Sequence, residues 1–382
     1  MEGSMVDEQY MRQALLIAQH AIGRTSPNPM VGAVIVRDGR VIGQGWHRQA
    51  GTPHAEINAL AQAGDLAQGA TMYVTLEPCS HYGRTPPCAD AVIAAGIKKV
   101  VVAMKDPNPL VAGRGIKKLR EAGVEVVEDV LAAQAATINE IFIKYISTQM
   151  PFVVLKSAMS LDGKIAAHTG HSQWITGTKS RERVQELRDC YDAILVGIGT
   201  VLADNPSLTT RLSYRGKNPI RIIVDSMART PLDAHVVADG LASTIIVVTH
   251  DAPKDRINAL CACGVEVLVA KVKKQGGVDL RQLFKDLAGR SITSILIEGG
   301  ASINASVLEE NLVDKIYWFI APKIIGGQGA LGPVGGQGVT DVNHAHLFED
   351  MNIEPIGQDI LISAYMRNRE GRDVYRSCGR IR

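Results

Sequence analysis

Four residues constrain how this chain can fold: His54 and Glu56, two positions apart, and Cys79 and Cys88, each directly after a proline. For one imidazole and two thiols to serve one centre, three element ends must converge: a helix start at residue 54, a strand end before residue 79 and a second helix start at residue 88. A catalytic zinc site takes three protein ligands and leaves a fourth position for water. His54, Cys79 and Cys88 are the three candidate ligands, and Glu56 is a carboxylate that need not touch the metal. A thiolate at a helix N-terminus is stabilised, which suits Cys88. Zinc lowers the pKa of water towards about 7, and Glu56 is the base that takes its proton and passes it to a leaving amine. Two structural cysteines beside a surface histidine is the plainer reading, but scattered cysteines rarely fall together at such positions. A purely structural zinc also stays open, because His81 lies between the cysteines and could complete a set of four ligands.

The chain has 382 residues, 46% hydrophobic and 21% charged, with a net charge of +2. That length suits two domains. The small net charge argues against nucleic acid as a partner. No apolar run is long enough to span a bilayer and no signal peptide is evident, so neither a membrane nor export is expected and the cytoplasm is the default. Six cysteines in a chain this long do not make a disulfide framework. The start Met1-Glu2-Gly3-Ser4 reads as a cloning remnant before a natural Met5, and no part of the fold is expected of it.

A helix is expected over 6–22, with Met11, Leu15 and Ala18 at helical spacing. Runs 31–36 and 41–46 flank Asp38-Gly39, a strong hairpin signal. Helices follow at 54–63, 88–95 and 111–122, and strands at 71–76, 99–104 and 124–127. One further helix is expected over 132–147. This order is an α/β/α sandwich on a mixed sheet, assigned to residues 5–148. Pro151 marks a boundary, and a second α/β unit is assigned to 151–366. Its strands are expected at 152–156, 193–196, 220–224, 244–248, 265–269, 294–297 and 315–320, and its helices at 179–188, 280–287 and 301–310. The glycine-rich stretch 326–338 reads as a loop. The tail 367–382 carries six arginines and reads as a poorly ordered end. Gly197 and Gly199 begin a dinucleotide fingerprint, but Leu202 stands where its third glycine belongs. Gly299-Gly300, between an apolar run and a helix, is equally a phosphate-binding turn or simply a tight one.

His-x-Glu followed by Pro-Cys-x-x-Cys is the signature of zinc nucleobase deaminases, yet here eight residues separate the cysteines. The longer spacing, in Glu77-Pro78-Cys79-Ser80-His81-Tyr82-Gly83-Arg84-Thr85-Pro86-Pro87-Cys88, resembles the bifunctional deaminase/reductase family of riboflavin biosynthesis. So do Pro27-Asn28-Pro29, Asp106-Pro107-Asn108-Pro109, Ser160-Leu161-Asp162-Gly163-Lys164, Ser172-Gln173-Trp174-Ile175-Thr176, the run 200–206 and Ile297-Glu298-Gly299-Gly300. The resemblance implies a cytidine-deaminase-like first domain and a dihydrofolate-reductase-like second. It implies one zinc per chain and NADPH. It implies a phosphorylated pyrimidine substrate that loses its 2-amino group and whose ribosyl group is then reduced to ribityl. It also implies a homo-oligomer. Carried over by position, Asn28, His47, Arg84, Asp106 and Asn108 grip the pyrimidine, although turn chemistry accounts for Asn28, Asp106 and Asn108 one at a time. Ala158, Trp174, Thr200, Asp204, Ser226 and the turn Gly300, Ala301, Ser302, Ile303, Asn304, Ala305, Ser306 lie along NADPH. Lys156, Ser172, Arg188, Leu208, Arg211 and Glu298 contact the reductase substrate, the arginines as phosphate forks. Two other readings compete: a deaminase of another base with a non-catalytic second domain, and a zinc or nucleotide scaffold without catalysis, for which Glu56 would have no use.

Overall fold

The hairpin signal at Asp38-Gly39 is realised as β1 (Gly32–Arg37) and β2 (Arg40–Trp46), antiparallel with a register shift at Ile35/Val36. Both residues of the turn take positive φ, as such a turn requires. Helices press on this hairpin from both sides, and glycine permits it. A Cβ on Gly32 would stand 2.1 Å from the Ala14 carbonyl oxygen of α1 (Glu2–Ala18), and one on Gly43 would stand 2.3 Å from that of Ala59 in α2 (Ala55–Ala63). Gly43 pairs with Ile35, three residues after Gly32. Side chains alternate along a strand, so the two helices lie on opposite faces.

In this computed structural model the described residues are 2–80, 86–108, 111–214, 216–273, 276–367 and 369. The first unit continues with β3 (Thr71–Val74), α3 (Cys88–Ala94), β4 (Lys99–Val102), α4 (Arg114–Glu121), β5 (Glu125–Val127), α5 (Ala132–Ile138) and α6 (Glu140–Thr148). Its sheet runs β2-β1-β3-β4-β5, antiparallel at β2, β1 and β3 and parallel from β3 to β5. This is the mixed sheet expected of a deaminase-like domain. Two details differ. α1 starts at Glu2, ahead of the expected 6–22 and within the stretch read as a cloning remnant. The single helix expected over 132–147 is two helices, broken at Asn139, whose φ of −109° and ψ of 18° are not helical.

The chain divides between Gln149 and Met150 into two units. The second unit contains β6 (Phe152–Ser160), α7 (Thr178–Cys190), β7 (Ala193–Gly197), α8 (Ile198–Asp204), β8 (Ile220–Val224), α9 (His235–Ala238), β9 (Thr244–Val248), α10 (Lys254–Ala262), β10 (Glu266–Val269), α11 (Leu280–Gly289), β11 (Ser294–Ile297), α12 (Ala301–Glu309), β12 (Lys315–Ala321), β13 (Phe348–Ile356) and β14 (Asp359–Met366). The strand order is β10-β9-β8-β7-β11-β6-β12-β14-β13. Strands β10 to β12 are parallel, and β14 and β13 add antiparallel at one edge. The central strands are largely apolar because both faces are covered, with Arg221 in β8 and Lys156 in β6 as exceptions. Ile222 and Ile245 join one core while Ile223 and Ile246 join the other. The hairpin β13–β14 and the helices α8, α9 and α10 were not expected from the sequence. The expected tail falls almost wholly outside the described residues.

Candidate functional site

The element ends named by the motif converge in the first unit. His54 caps α2 with extended backbone (φ −72°, ψ 167°), and Cys88 is the first residue of α3, behind Pro87. Cys79 lies beyond the end of β3. His54 Nδ1 stands 3.2 Å from Cys88 Sγ and 3.6 Å from Cys79 Sγ, and the three candidate ligand atoms lie within 4.8 Å of one another. Ligand atoms on one tetrahedral zinc are about 3.6 Å apart for metal–ligand lengths near 2.0–2.3 Å. One nitrogen and two sulfurs at these separations, with no fourth His, Cys, Asp or Glu ligand beside them among the described residues, fit a zinc site with an open position. His81, the other candidate ligand, lies outside the described residues, as does Arg84.

The electrostatics suit a cation. Cys79 is held down at about 4, chiefly by the hydrogen bond from the Cys88 thiol; burial opposes this, while His54 and the Cys88 backbone N–H assist. The same contact, together with burial, pushes Cys88 up. The metal-free pair therefore shares one proton, and a dication displaces it. Hydrogen bonding to Cys79 raises His54 despite burial. Glu56 sits in the first turn of α2, 3% exposed, and burial pushes its carboxyl up to about 7.

His54, Glu56 and Cys79 line one cavity of about 480 Å³ together with Asn28, His47, Asp106 and Asn108, a volume suited to a small ligand; Cys88 is fully buried. His47 Nε2 lies 3.1 Å from Asn28 Nδ2 and its Nδ1 lies 3.4 Å from the Pro53 carbonyl oxygen. This matches a neutral ring that donates from Nδ1 and accepts at Nε2, and burial lowers the His47 pKa in the same sense. The Asn108 N–H donates to Asp106 Oδ1 at 2.8 Å. Sequence reasoning missed Glu77, Phe142, Tyr145 and Ile146, which also line the cavity. Helical spacing at 142, 145 and 146 reads just as well as a core-facing stripe, and Glu77, although it opens the motif that ends at Cys88, carries no local sign of what it holds.

In the second unit the expected residues gather at the carboxyl ends of the parallel strands, where open α/β sheets bind ligands. Ala158 lies near the carboxyl end of β6, Thr200 follows β7, Ser226 follows β8, and Glu298 to Gly300 follow β11. Glu298 accepts from Arg188 Nε at 2.7 Å and Nη2 at 3.0 Å, and Lys156 Nζ lies 3.5 Å away. Burial alone would raise Glu298, but Arg188 and Lys156 hold it at about 2. Burial lowers Lys156. The fork of Arg188 is thus closed on Glu298 and the Thr209 carbonyl, while Arg211 is exposed. Ser172 Oγ donates to Asp204 Oδ1 at 3.1 Å. Leu208 is buried. Gly300 caps α12 without a side chain, and a Cβ there would stand 3.3 Å from Thr200 Oγ1. The first N–H groups of α12, in Ala301, Ser302 and Ile303, belong to the turn expected along NADPH; Ala305 and Ser306 lie one turn further on. Asn304 Oδ1 is buried without a hydrogen-bond partner among the described residues. Trp174 is 63% exposed, with the Arg181 guanidinium 4.8 Å over its ring. An uncapped helix start, an orphaned amide oxygen and an exposed indole fit a phosphate-bearing, ring-bearing cofactor.

The family of the cytidine and deoxycytidylate deaminase zinc-binding region matches residues 4–104, and the RibD C-terminal domain matches residues 151–362. The riboflavin biosynthesis protein RibD of Actinobacillus pleuropneumoniae is 46% identical over 359 residues, 94% of this chain and 95% of that protein. Acinetobacter baumannii RibD, form 1, superposes with a TM-score of 0.86 at 39% identity, over 96% of this chain and 100% of that one. The diaminohydroxyphosphoribosylaminopyrimidine deaminase/5-amino-6-(5-phosphoribosylamino)uracil reductase of Thermotoga maritima gives a TM-score of 0.85 at 38% identity, over 95% and 99% of the two chains. Likeness of this extent across both units places the chain in the RibD family: it is a bifunctional enzyme of riboflavin biosynthesis, with a zinc-dependent deaminase in its first unit and an NADPH-dependent reductase in its second.

Proposed function

We propose that the first unit hydrolyses the 2-amino group of 2,5-diamino-6-(ribosylamino)-4(3H)-pyrimidinone 5′-phosphate. The second then reduces the ribosyl group, giving 5-amino-6-(ribitylamino)uracil 5′-phosphate. The observation that carries the reading is the cavity that joins His54 and Cys79, two of the three clustered candidate ligands, to Glu56 and to the amide and carboxyl groups of Asn28, Asp106 and Asn108. His54, Cys79 and Cys88 would hold the zinc, which supplies Lewis acidity and lowers the pKa of water at its open position. Glu56, buried at the start of α2, takes a proton from the attacking water at its carboxylate and returns it to the departing amine, which leaves as ammonia. Asn28, His47, Asp106 and Asn108 hold the heterocycle by its amide-like edges. Arg84 is assigned to the same substrate.

In the second unit NADPH, when bound, supplies a hydride to C1′ of the sugar. Ala158, Trp174, Thr200, Asp204, Ser226 and residues 300–306 are assigned to holding it. Lys156 and Glu298, with Ser172, Leu208 and Arg188, flank the sugar, and exposed Arg211 suits the phosphate. A homo-oligomer acting in the cytoplasm, without nucleic acid, belongs to the same reading. The open edge strand β13, with Met351 65% and Ile353 60% exposed, supports self-association. Among the described residues no helix is long and apolar enough to cross a membrane.

Glu56→Gln tests the first half. The amide keeps the shape and cannot take up the proton. We expect one zinc per chain and a loss of deamination of about 10²–10⁴-fold, read as ammonia release alongside metal content. Normal turnover in that variant sinks the mechanism and favours the scaffold reading.

A further inference from the structure

Glu77 directly precedes Pro78-Cys79 and is 3% exposed. Its two oxygens divide four backbone N–H donors between them. Oε1 accepts from Gly115 at 2.8 Å and Ile116 at 3.2 Å; Oε2 accepts from Gly113 at 2.9 Å and Asp106 at 3.3 Å. Gly115 and Ile116 lie in the first turn of α4, whose N-cap, Gly113, sits at φ 77° and has no side chain to cap it. Glu77 supplies that cap from another element, an anion at the positive end of a helix. Gly113 and Asp106 bracket the stretch that carries Asn108, and the Glu77 N–H donates to the Met104 carbonyl at 3.0 Å just before it. The contact is close: a Cβ on Gly115 would fall 1.9 Å from the Pro78 carbonyl oxygen. One buried carboxylate therefore joins the chain beside Cys79 to the backbone of Asp106 and to the start of α4.

We propose that Glu77 is a positioning residue of the deaminase, setting Asp106 and Asn108 at a fixed distance from Cys79 and so registering the pyrimidine against the metal centre. This rests on the reading above in which Asp106 and Asn108 grip the substrate. A carboxylate is required because each oxygen faces two donors. In a glutamine of the same shape, the amide NH₂ meets two N–H groups whichever way it is turned. The four bonds cannot all survive, and misplacing a substrate group by about 1 Å costs on the order of 100-fold in rate.

The test is Glu77→Gln in the full-length zinc enzyme, alone and combined with Asn108→Ala, with KM and kcat for ammonia release, zinc per chain and NADPH oxidation on already deaminated substrate. We expect KM to rise about 10- to 100-fold, with zinc content and NADPH oxidation unchanged. In the Asn108→Ala background most of the Glu77→Gln effect should vanish, because both act through the same grip. A purely structural cap would lower stability or zinc content and leave the KM of the folded protein alone; that result, or full additivity with Asn108→Ala, overturns the proposal. If Glu77→Gln does not accumulate as folded protein, Glu77→Asp carries the test. It keeps the charge, but one methylene short it cannot reach all four donors, so an unchanged KM there overturns the proposal equally. Asn108→Ala with a normal KM would instead defeat the grip reading itself. Asn108→Ala with a raised KM and Glu77→Gln with a normal one defeats only the role of Glu77.

Discussion

Among single residues, Glu298 shows how far a partner can override burial. Desolvation works to raise its pKa, yet Arg188 and Lys156 hold it at about 2, against an ordinary 4.5. A carboxyl depressed on folding adds stability above its unfolded pKa, and loses it as pH falls through the folded value. Glu298→Gln should therefore be less stable than the parent by about 3–5 kcal/mol near neutrality, because Arg188 is left buried and unpaired. The gap should narrow between pH 4.5 and about 2. Pepsin cleavage in the β11 segment, compared between the two proteins across that range, measures it; a gap independent of pH removes the ion pair as the cause. His54, Glu56, Cys79 and Cys88 were legible in the sequence because their chemistry is carried by residue type and short spacing. Glu77 was not, because its partners are backbone N–H groups 29 to 39 residues away, and any residue but proline offers one.

At the level of elements, β7, β8 and β9 were legible because strands covered on both faces are largely apolar, although β8 also buries Arg221, which is answered by Asp239. β13 was not. Six of its nine residues are exposed and none is buried, and it contains Pro355, so the short alternation from Met351 to Glu354 does not stand out as a strand. The break between α5 and α6 was also hidden, since 132–147 has helical composition throughout. Its cause is tertiary: Asn139 Oδ1 accepts the Met30 N–H at 2.8 Å, and its Nδ2 donates to the Met30 carbonyl at 3.0 Å. That pair ties the start of α6 to the turn that carries Asn28. Asn139→Ala should leave two half-buried backbone groups of Met30 without these bonds, at about 1–3 kcal/mol each at most. It should raise KM for deamination without affecting NADPH oxidation. Unfolding of the variant together with its ammonia-release kinetics checks this, and an unchanged KM would show that the tether does not reach Asn28.

For the whole molecule, two activities on two units predict separable losses. Given the diaminopyrimidinone phosphate and NADPH, the intact enzyme should release ammonia and then oxidise NADPH. Stripping zinc with a chelator should abolish both on that substrate, while NADPH oxidation on already deaminated substrate persists. Ammonia release without NADPH oxidation would leave the second unit a binding domain and revive the alternative weighed from the sequence. The sequence by itself determined the class of fold and which residues to look for: three clustered candidate ligands beside a glutamate, an α/β unit on a mixed sheet followed by a second α/β unit, and the family to which long local motifs point. These are properties of residue type and of spacing within a few tens of positions. Tertiary structure alone decided which backbone groups Glu77 and Asn139 hold, how Glu298 meets Arg188 and Lys156, and where the edge hairpin closes the second sheet. Each of those depends on atoms brought together across many residues, and a linear pattern of residue types carries no record of that.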